Sequence, residues 1–217
     1  MRNYHVIGAM NRGGVSEIFR AVDLIDGRCV AIKRLLHVEE THLNEPLTEA
    51  MQREIRALSQ LRHPSIVRLF KSGSDEQGPF LVLEMIEGES LEKVISEGAL
   101  TYPDFFEIAS QTLGALAAAE ELRLLHRDLK PGNIMVTVND AGQLVAKILD
   151  FGMSKFLDRP SSQTIDQGGN IIASVDYVAP EQIELQPLDP RADLLFLSQP
   201  DISVPRRLTF DNDREPP

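Results

Sequence analysis

The stretch LLHRDLKPGNIMV, Leu124 to Val136, sets His126, Arg127, Asp128, Lys130 and Asn133 between two apolar runs. An isolated buried charge is expensive, so such a run is either a solvated turn or a site that needs its charges. The flanking sequence decides between the two. On the amino side Phe105, Ile108, Ala109, Leu116 and Leu122 or Leu125 recur at helical spacing, with Pro103 in a first-turn position. A long buried helix running into His126 is predicted. On the carboxyl side IMVTV, NDAG and LVAKIL read as strand, turn and strand ahead of Asp150-Phe151-Gly152.

That hairpin has a geometric consequence. A turn centred between Ala141 and Gly142 puts Asn133 and Asp150 side by side at the open end, because the midpoint of the two positions falls on the turn. One neutral and one anionic oxygen donor then converge. Such hard donors suit Mg²⁺ held together with substrate phosphates; zinc would require a Cys and His cluster that the chain lacks. Asp128, five residues before Asn133 on the same loop, is the carboxylate left for proton transfer.

Outward from this core the first third of the chain reads as strands. EIFRAVDLIDGRCVAIKRL carries two β-rich runs around Asp26-Gly27, a hairpin signal and the start of a small antiparallel sheet. Leu47, Met51, Ile55, Leu58 and Leu61 then mark a helix ending before His63-Pro64, and SIVRLFKSG with PFLVLEMI suggests a further strand pair. The polar connection EGES is the expected domain boundary.

Composition narrows the partners. With 217 residues and 42% apolar content the chain can bury a substantial core as one domain or two small lobes. A net charge of -11 disfavours nucleic acid and anionic membrane, which would be repelled. The single cysteine, Cys29, forms no internal disulfide, no apolar run reaches the roughly 20 residues that span a bilayer, and the first residues lack a signal-peptide core. A cytoplasmic protein without a membrane span is expected.

HRDLKPGN, with DFG downstream, VAIK upstream and APE at Ala179 to Glu181, resembles the protein kinases, with phrasing like the bacterial serine/threonine type. The resemblance covers roughly Val6 to Asp193. It implies ATP and Mg²⁺ as cofactors, a protein substrate with a Ser or Thr acceptor, and a role for each matching residue. Lys33 reaches phosphate, with Ala31 on the same strand face against the base, and Glu54 on the following helix is the acid that pairs with Lys33, Glu49 being the weaker choice. Glu84 and Met85 fall in the adenine-facing hinge. Asp128 orients the substrate hydroxyl and accepts its proton, Lys130 neutralises the transferring phosphate, and Asn133 and Asp150 hold magnesium. Lys130 also sides with Ser/Thr protein substrates, and Arg127 with Lys130 against small-molecule kinases. His126 is assigned a structural role only. Arg127 resembles the arginine that pairs with a phosphate on the loop before APE, where Ser161, Ser162 and Thr164 are the acceptors, and Ser174 takes a structural role near the substrate.

The chain departs from the family pattern twice. In the glycine-rich loop the family positions fall on Asn11, Gly13, Ser16 and Ile18, so only the middle glycine is kept, with Gly14 beside it. Small, turn-tolerant residues can still line backbone amides along phosphates, and Ile18 can cover the base. Further on, DPRADL resembles the entry to a long apolar helix, but Pro200 and Pro205 follow where that helix should continue. The expected fold is therefore α+β and kinase-like: a complete β-rich N-lobe over 4–86, a partial helical C-lobe over 87–193 and a divergent, disordered tail over 194–217. A C-terminally truncated version of the family fold is expected. The expected function is ATP-dependent phosphorylation of protein Ser/Thr. A catalytically weak or inactive nucleotide-binding or interaction module is the alternative.

Overall fold

The computed structural model describes residues 3–12, 16–35, 55, 58–98, 100–126, 128–151, 179–183 and 189–198. They fall into two compact units, one drawn from Met1–Arg62 and Val67–Ile86, the other from His63–Ile66 and Glu87–Pro217. Residues 63–66, which the sequence reading placed in the first domain, belong to the second: Ile66 bridges to Ile148, and Ile148 N–H donates to Ser65 O at 2.9 Å.

The first unit is a five-stranded antiparallel sheet in the order β1 (Tyr4–Arg12), β2 (Ser16–Asp23), β3 (Cys29–Leu35), β5 (Gly78–Glu84), β4 (Leu69–Asp75). The β2–β3 hairpin forms around the expected turn, where Gly27 takes φ +74° and its N–H donates to Asp23 O at 2.8 Å. A side chain there would be strained, which explains the glycine. β5 lies between two partners, and its run Phe80 to Leu83 is buried throughout, as an inner strand requires. Ala21, Val30, Ile32, Phe80 and Val82 form the core of one face, flanked by Tyr4, Phe19 and Phe70. At the far end of β3, Arg34 grips Asp75 through both carboxylate oxygens at 2.6 and 2.9 Å, pinning β3 to the β4–β5 turn.

The second unit holds helix α1 (Leu91–Glu97), helix α2 (Tyr102–Glu121) and a three-stranded antiparallel sheet β6 (Glu89–Ser90), β7 (Ile134–Val138), β8 (Leu144–Ile148). The EGES connection crosses β7 closely: a Cβ at Gly88 would collide with the Val136 carbonyl, and Thr137 Oγ1 donates to Glu87 O at 2.6 Å. α2 is capped by Thr101, whose Oγ1 accepts Asp104 N–H at 3.2 Å, with Pro103 in the first turn as expected. Its buried face is Ile108, Ala109, Thr112, Ala115 and Ala119, mostly small residues that let β8 approach. Phe105 and Leu116 are only half-buried, and Leu122 is exposed.

Three expectations need correction here. α2 stops at Glu121 instead of running into His126: Arg123 adopts φ +55°, its N–H donates to Glu120 O at 2.8 Å, and Leu124 N–H donates to Ala119 O at 3.0 Å. That pair of bonds is a Schellman termination, with arginine at the position glycine usually takes. In the β7–β8 hairpin Ile134 pairs with Ile148 and Val138 with Leu144, so the turn is centred on Ala141 and Asn133 stands opposite Leu149, one residue short of Asp150. The loop holds five residues because the Asn139 side chain folds into it, accepting N–H groups from Ala141 and Gln143 at 3.0 and 2.9 Å. Finally, a 3-10 helix spans Pro190–Ser198 and runs through the 193/194 boundary into the segment expected to be disordered. Helix α3 (Pro180–Ile183) precedes it, and residues 199–217 lie outside the described residues.

Candidate active site

The opening motif folds as an extended strap followed by one 3-10 turn, Pro131–Asn133. Proline at the turn's start presets its backbone, and Asn133 N–H closes it on Lys130 O at 2.9 Å. Three of the sequence-assigned side chains meet on this strap. Lys130 Nζ donates to both Asp128 oxygens at 3.2 and 3.0 Å, and Asn133 Nδ2 donates to the Asp128 carbonyl at 2.7 Å and to its Oδ2 at 3.1 Å. Asp128 keeps 48% of its side chain exposed and Lys130 keeps 35%, so both remain reachable from solvent. With its amide nitrogen committed to Asp128, Asn133 has its amide oxygen left as a donor atom.

The strap is fixed from beneath by His126, which is wholly buried. Its Nε2 donates to Leu149 O at 2.7 Å and its Nδ1 accepts the Asp128 N–H at 3.4 Å. The ring meets Phe151 edge-on at 4.9 Å. His126 N–H donates to Oδ2 of buried Asp193 at 2.7 Å, so the 3-10 helix anchors the strap. Asp150 follows Leu149, whose N–H donates to Asn133 O at 2.8 Å, and takes φ +56°, a left-handed conformation that aspartate tolerates. The hairpin thus brings Asn133 and Asp150 to neighbouring positions, offset by the one residue described above.

In the first unit, Asn11, Ile18, Lys33 and Leu81 stand in one row across β1, β2, β3 and β5, and Ala31 shares the Lys33 face next to it. Lys33 is only 2% exposed. Ser16 opens β2 opposite Leu35. At the end of β5 the Glu84 N–H donates to Arg68 O at 2.8 Å, and its Oε2 accepts Arg68 N–H at 3.2 Å. Met85 follows it outside the strand. Gly13, Gly14, Glu49, Glu54, Arg127, Ser161, Ser162, Thr164 and Ser174 lie outside the described residues.

Two contributors escaped the sequence reading. The Leu149 carbonyl, which holds His126, is a backbone group with no sequence signature. Gln111, which binds the β8 backbone, looks like an ordinary polar residue one turn from Glu107. Only its partner 35 residues away reveals it.

The motifs carried by the strap and hairpin of one unit and by the sheet of the other are those of a protein kinase. The sequence pattern of the protein kinase domain matches residues 4–197, and the chain belongs to that family, with its α+β fold. It is similar to the serine/threonine-protein kinase pkn2 of Myxococcus xanthus, 32% identical over 191 residues, covering 88% of this chain and 23% of that protein. The corresponding figures are 35% over 195 residues, 88% and 35% for the serine/threonine-protein kinase pkn3 of the same organism. For the probable serine/threonine-protein kinase PknB of Bifidobacterium longum they are 32% over 201 residues, 88% and 28%. The chain spans about a quarter to a third of the length of these relatives. No helix among the described residues is long and apolar enough to cross a membrane.

Proposed function

We propose that this chain transfers the γ-phosphoryl group of ATP to a Ser or Thr hydroxyl of a protein substrate. The observation that carries the reading is the Asp128–Lys130–Asn133 constellation, three side chains of three chemistries joined by direct hydrogen bonds on one rigid strap. Asp128 is the base. Its carboxylate is oriented by Lys130 and Asn133, and it accepts the proton as the substrate oxygen bonds to phosphorus and the bond to ADP breaks. Lys130 supplies positive charge for the transferring group. Lys33 serves the phosphates from β3, with Glu54 as its partner. Ile18 and Ala31 cover the base, Glu84 and Met85 read its edge, and Asn11, Gly13, Gly14 and Ser16 line the phosphates with backbone.

The donor set fits magnesium. Among the described residues no group of three His, Cys, Asp or Glu side chains is placed to hold a metal, as a zinc or all-protein calcium site would need. Asp150 and the Asn133 amide oxygen would hold the ion, few donors being suited to a cation that also takes phosphate oxygens and water. When bound, it neutralises phosphate charge.

A second reading, a nucleotide-binding or interaction module of little activity, is supported by the exposed apolar side chains of α2: Tyr102 at 58%, Phe106 at 66% and Leu113 at 43%. Labelled ATP with a generic protein substrate separates the two. Asp128→Asn should slow transfer by about 10² to 10⁴ while leaving ATP affinity in place. Asp150→Asn should weaken the magnesium-dependent part of ATP binding. Equal loss of ATP affinity in both variants contradicts the roles given to them.

A further inference from the structure

β8 is the outer strand of its sheet, and an outer strand turns alternate peptide groups away from its partner. On β8 two of these groups are taken by one side chain. Gln111 of α2 accepts Ala146 N–H on Oε1 at 2.8 Å and donates from Nε2 to Leu144 O at 2.8 Å. Those are the two bonds a residue of a neighbouring strand would make. Nε2 also donates to Glu107 Oε1 at 2.7 Å, one helical turn earlier, which fixes which end of the amide carries the donor. The amide stands in for a missing strand.

Satisfaction of the backbone alone does not explain such a clamp, because water serves an open strand edge at little cost. What water cannot do is hold the edge in place. β6 is two residues long and the outer edge of β8 meets main chain only at Ile148, through Ser65 O and the Ile66 bridge, so among the described residues the Leu144–Ala146 stretch has no strand beside it, and a two-stranded ribbon is marginal by itself. The ribbon's far end carries Leu149, bonded to Asn133 and His126, and then Asp150, only four residues beyond Ala146.

We propose that Gln111 is a positioning residue: by locking the β8 edge to α2 it holds Asp150 in place against Asn133, and so sets the affinity of that pair for magnesium. The inference rests on the reading that Asn133 and Asp150 hold the ion. The test is a Mg²⁺ titration of ATP affinity by calorimetry on Gln111→Met, which keeps size and loses both bonds, and on Gln111→Glu, which keeps the acceptor for Ala146 and repels the Leu144 carbonyl. Hydrogen exchange at Ala146 reports the clamp itself.

In Gln111→Met the Ala146 amide should exchange faster, and half-maximal Mg²⁺ should rise about tenfold, the scale of one hydrogen bond. Gln111→Glu, which also sets a second carboxylate against Glu107 Oε1, should move the midpoint in the same direction, and ATP affinity without Mg²⁺ should be unchanged in both. Ile108→Val, a change to the buried face of the same helix, should leave the titration where it is. An unmoved Mg²⁺ midpoint in Gln111→Met and Gln111→Glu, or an equal move in Ile108→Val, overturns the positioning role. Asp150→Asn in the same assay separates the two claims. If it leaves the midpoint unmoved, the metal-binding reading fails; if it moves the midpoint while Gln111→Met does not, only the clamp fails. If Gln111→Met does not fold, Gln111→Glu and Glu107→Ala carry the same comparison.

Discussion

Asp75→Ala should be among the most damaging single changes in the first unit, although Asp75 is no part of the proposed chemistry. Arg34 is 5% exposed and its guanidinium is held by both Asp75 oxygens; its other bond is a 3.5 Å contact from Nη1 to Gly78 O. Nε is buried with no hydrogen-bond partner. Removing the carboxylate therefore strands a cation against the Phe80 ring, whose centroid lies 5.9 Å away. Breaking a buried pair from one side costs about 3 to 5 kcal/mol, and Asp75, 23% exposed, lets in enough water to favour the lower end. Arg34→Met leaves Asp75 with its Gln77 N–H at 3.0 Å and with solvent, and should cost about 1 to 2 kcal/mol. The double variant should lose less than the sum, because neither charge is then stranded. Urea unfolding followed by circular dichroism measures the cycle, the chain having no tryptophan to report by fluorescence.

The pair also fixes a pH dependence. Hydrogen bonds from Arg34, opposed in part by burial and helped by the Gln77 N–H, hold the Asp75 carboxyl far below its ordinary value of 3.8. A depressed folded pKa contributes stability that is complete above the unfolded value and is lost as pH falls through the folded one. The difference between parent chain and Asp75→Ala should thus hold steady from neutral pH to about 4 and shrink below it. A difference that stays constant from pH 6 to about 2.5, or one under about 0.5 kcal/mol throughout, would refute the reasoning.

Two further outcomes follow from backbone geometry and from the buried anchor. Arg123→Gly should raise the melting temperature, since a non-glycine residue at φ +55° carries strain of about 1 kcal/mol that glycine lacks; Arg123→Val should lower it. Asp193→Ala leaves the buried His126 N–H without its 2.7 Å acceptor and should cost about 2 to 3 kcal/mol along with much of the transfer rate, whereas Asp193→Asn, which keeps an oxygen acceptor, should be milder in both melting and phosphorylation assays.

What the sequence made legible divides along a physical line. The meeting of Asp128, Lys130 and Asn133 is legible because it is local: five residues of strap and one proline-led turn suffice to bring them into contact. The Asp26-Gly27 turn was legible because it needs a residue free to take positive φ. Asn133 and Asp150 were placed as neighbours but one position out, since a side-chain hydrogen bond inside the loop, from Ala141 N–H to Asn139 Oδ1, changes the loop length without changing its composition. The end of α2 departs from expectation for a related reason. Arg123 favours helix by propensity, and only the bonds of Leu124 and Arg123 back to Ala119 and Glu120 turn the chain left-handed there.

Gln111 is the limiting case. On a helix its spacing from Glu107 suggests a solvated pair, and nothing along the chain connects it with Ala146. The bond exists because folding leaves β8 at a sheet edge, and edges are a property of the assembled sheet rather than of any strand's sequence. Asp193 is the contrast: the family resemblance of its DPRADL motif implies an anchor for the strap, and its Oδ2 accepts the His126 N–H 67 residues earlier. Residues that do chemistry are chosen for their side chains and so leave a pattern in sequence. Residues that hold the chemistry in place are chosen for a backbone group elsewhere, and without such a motif they become visible only once the fold has made that group a neighbour.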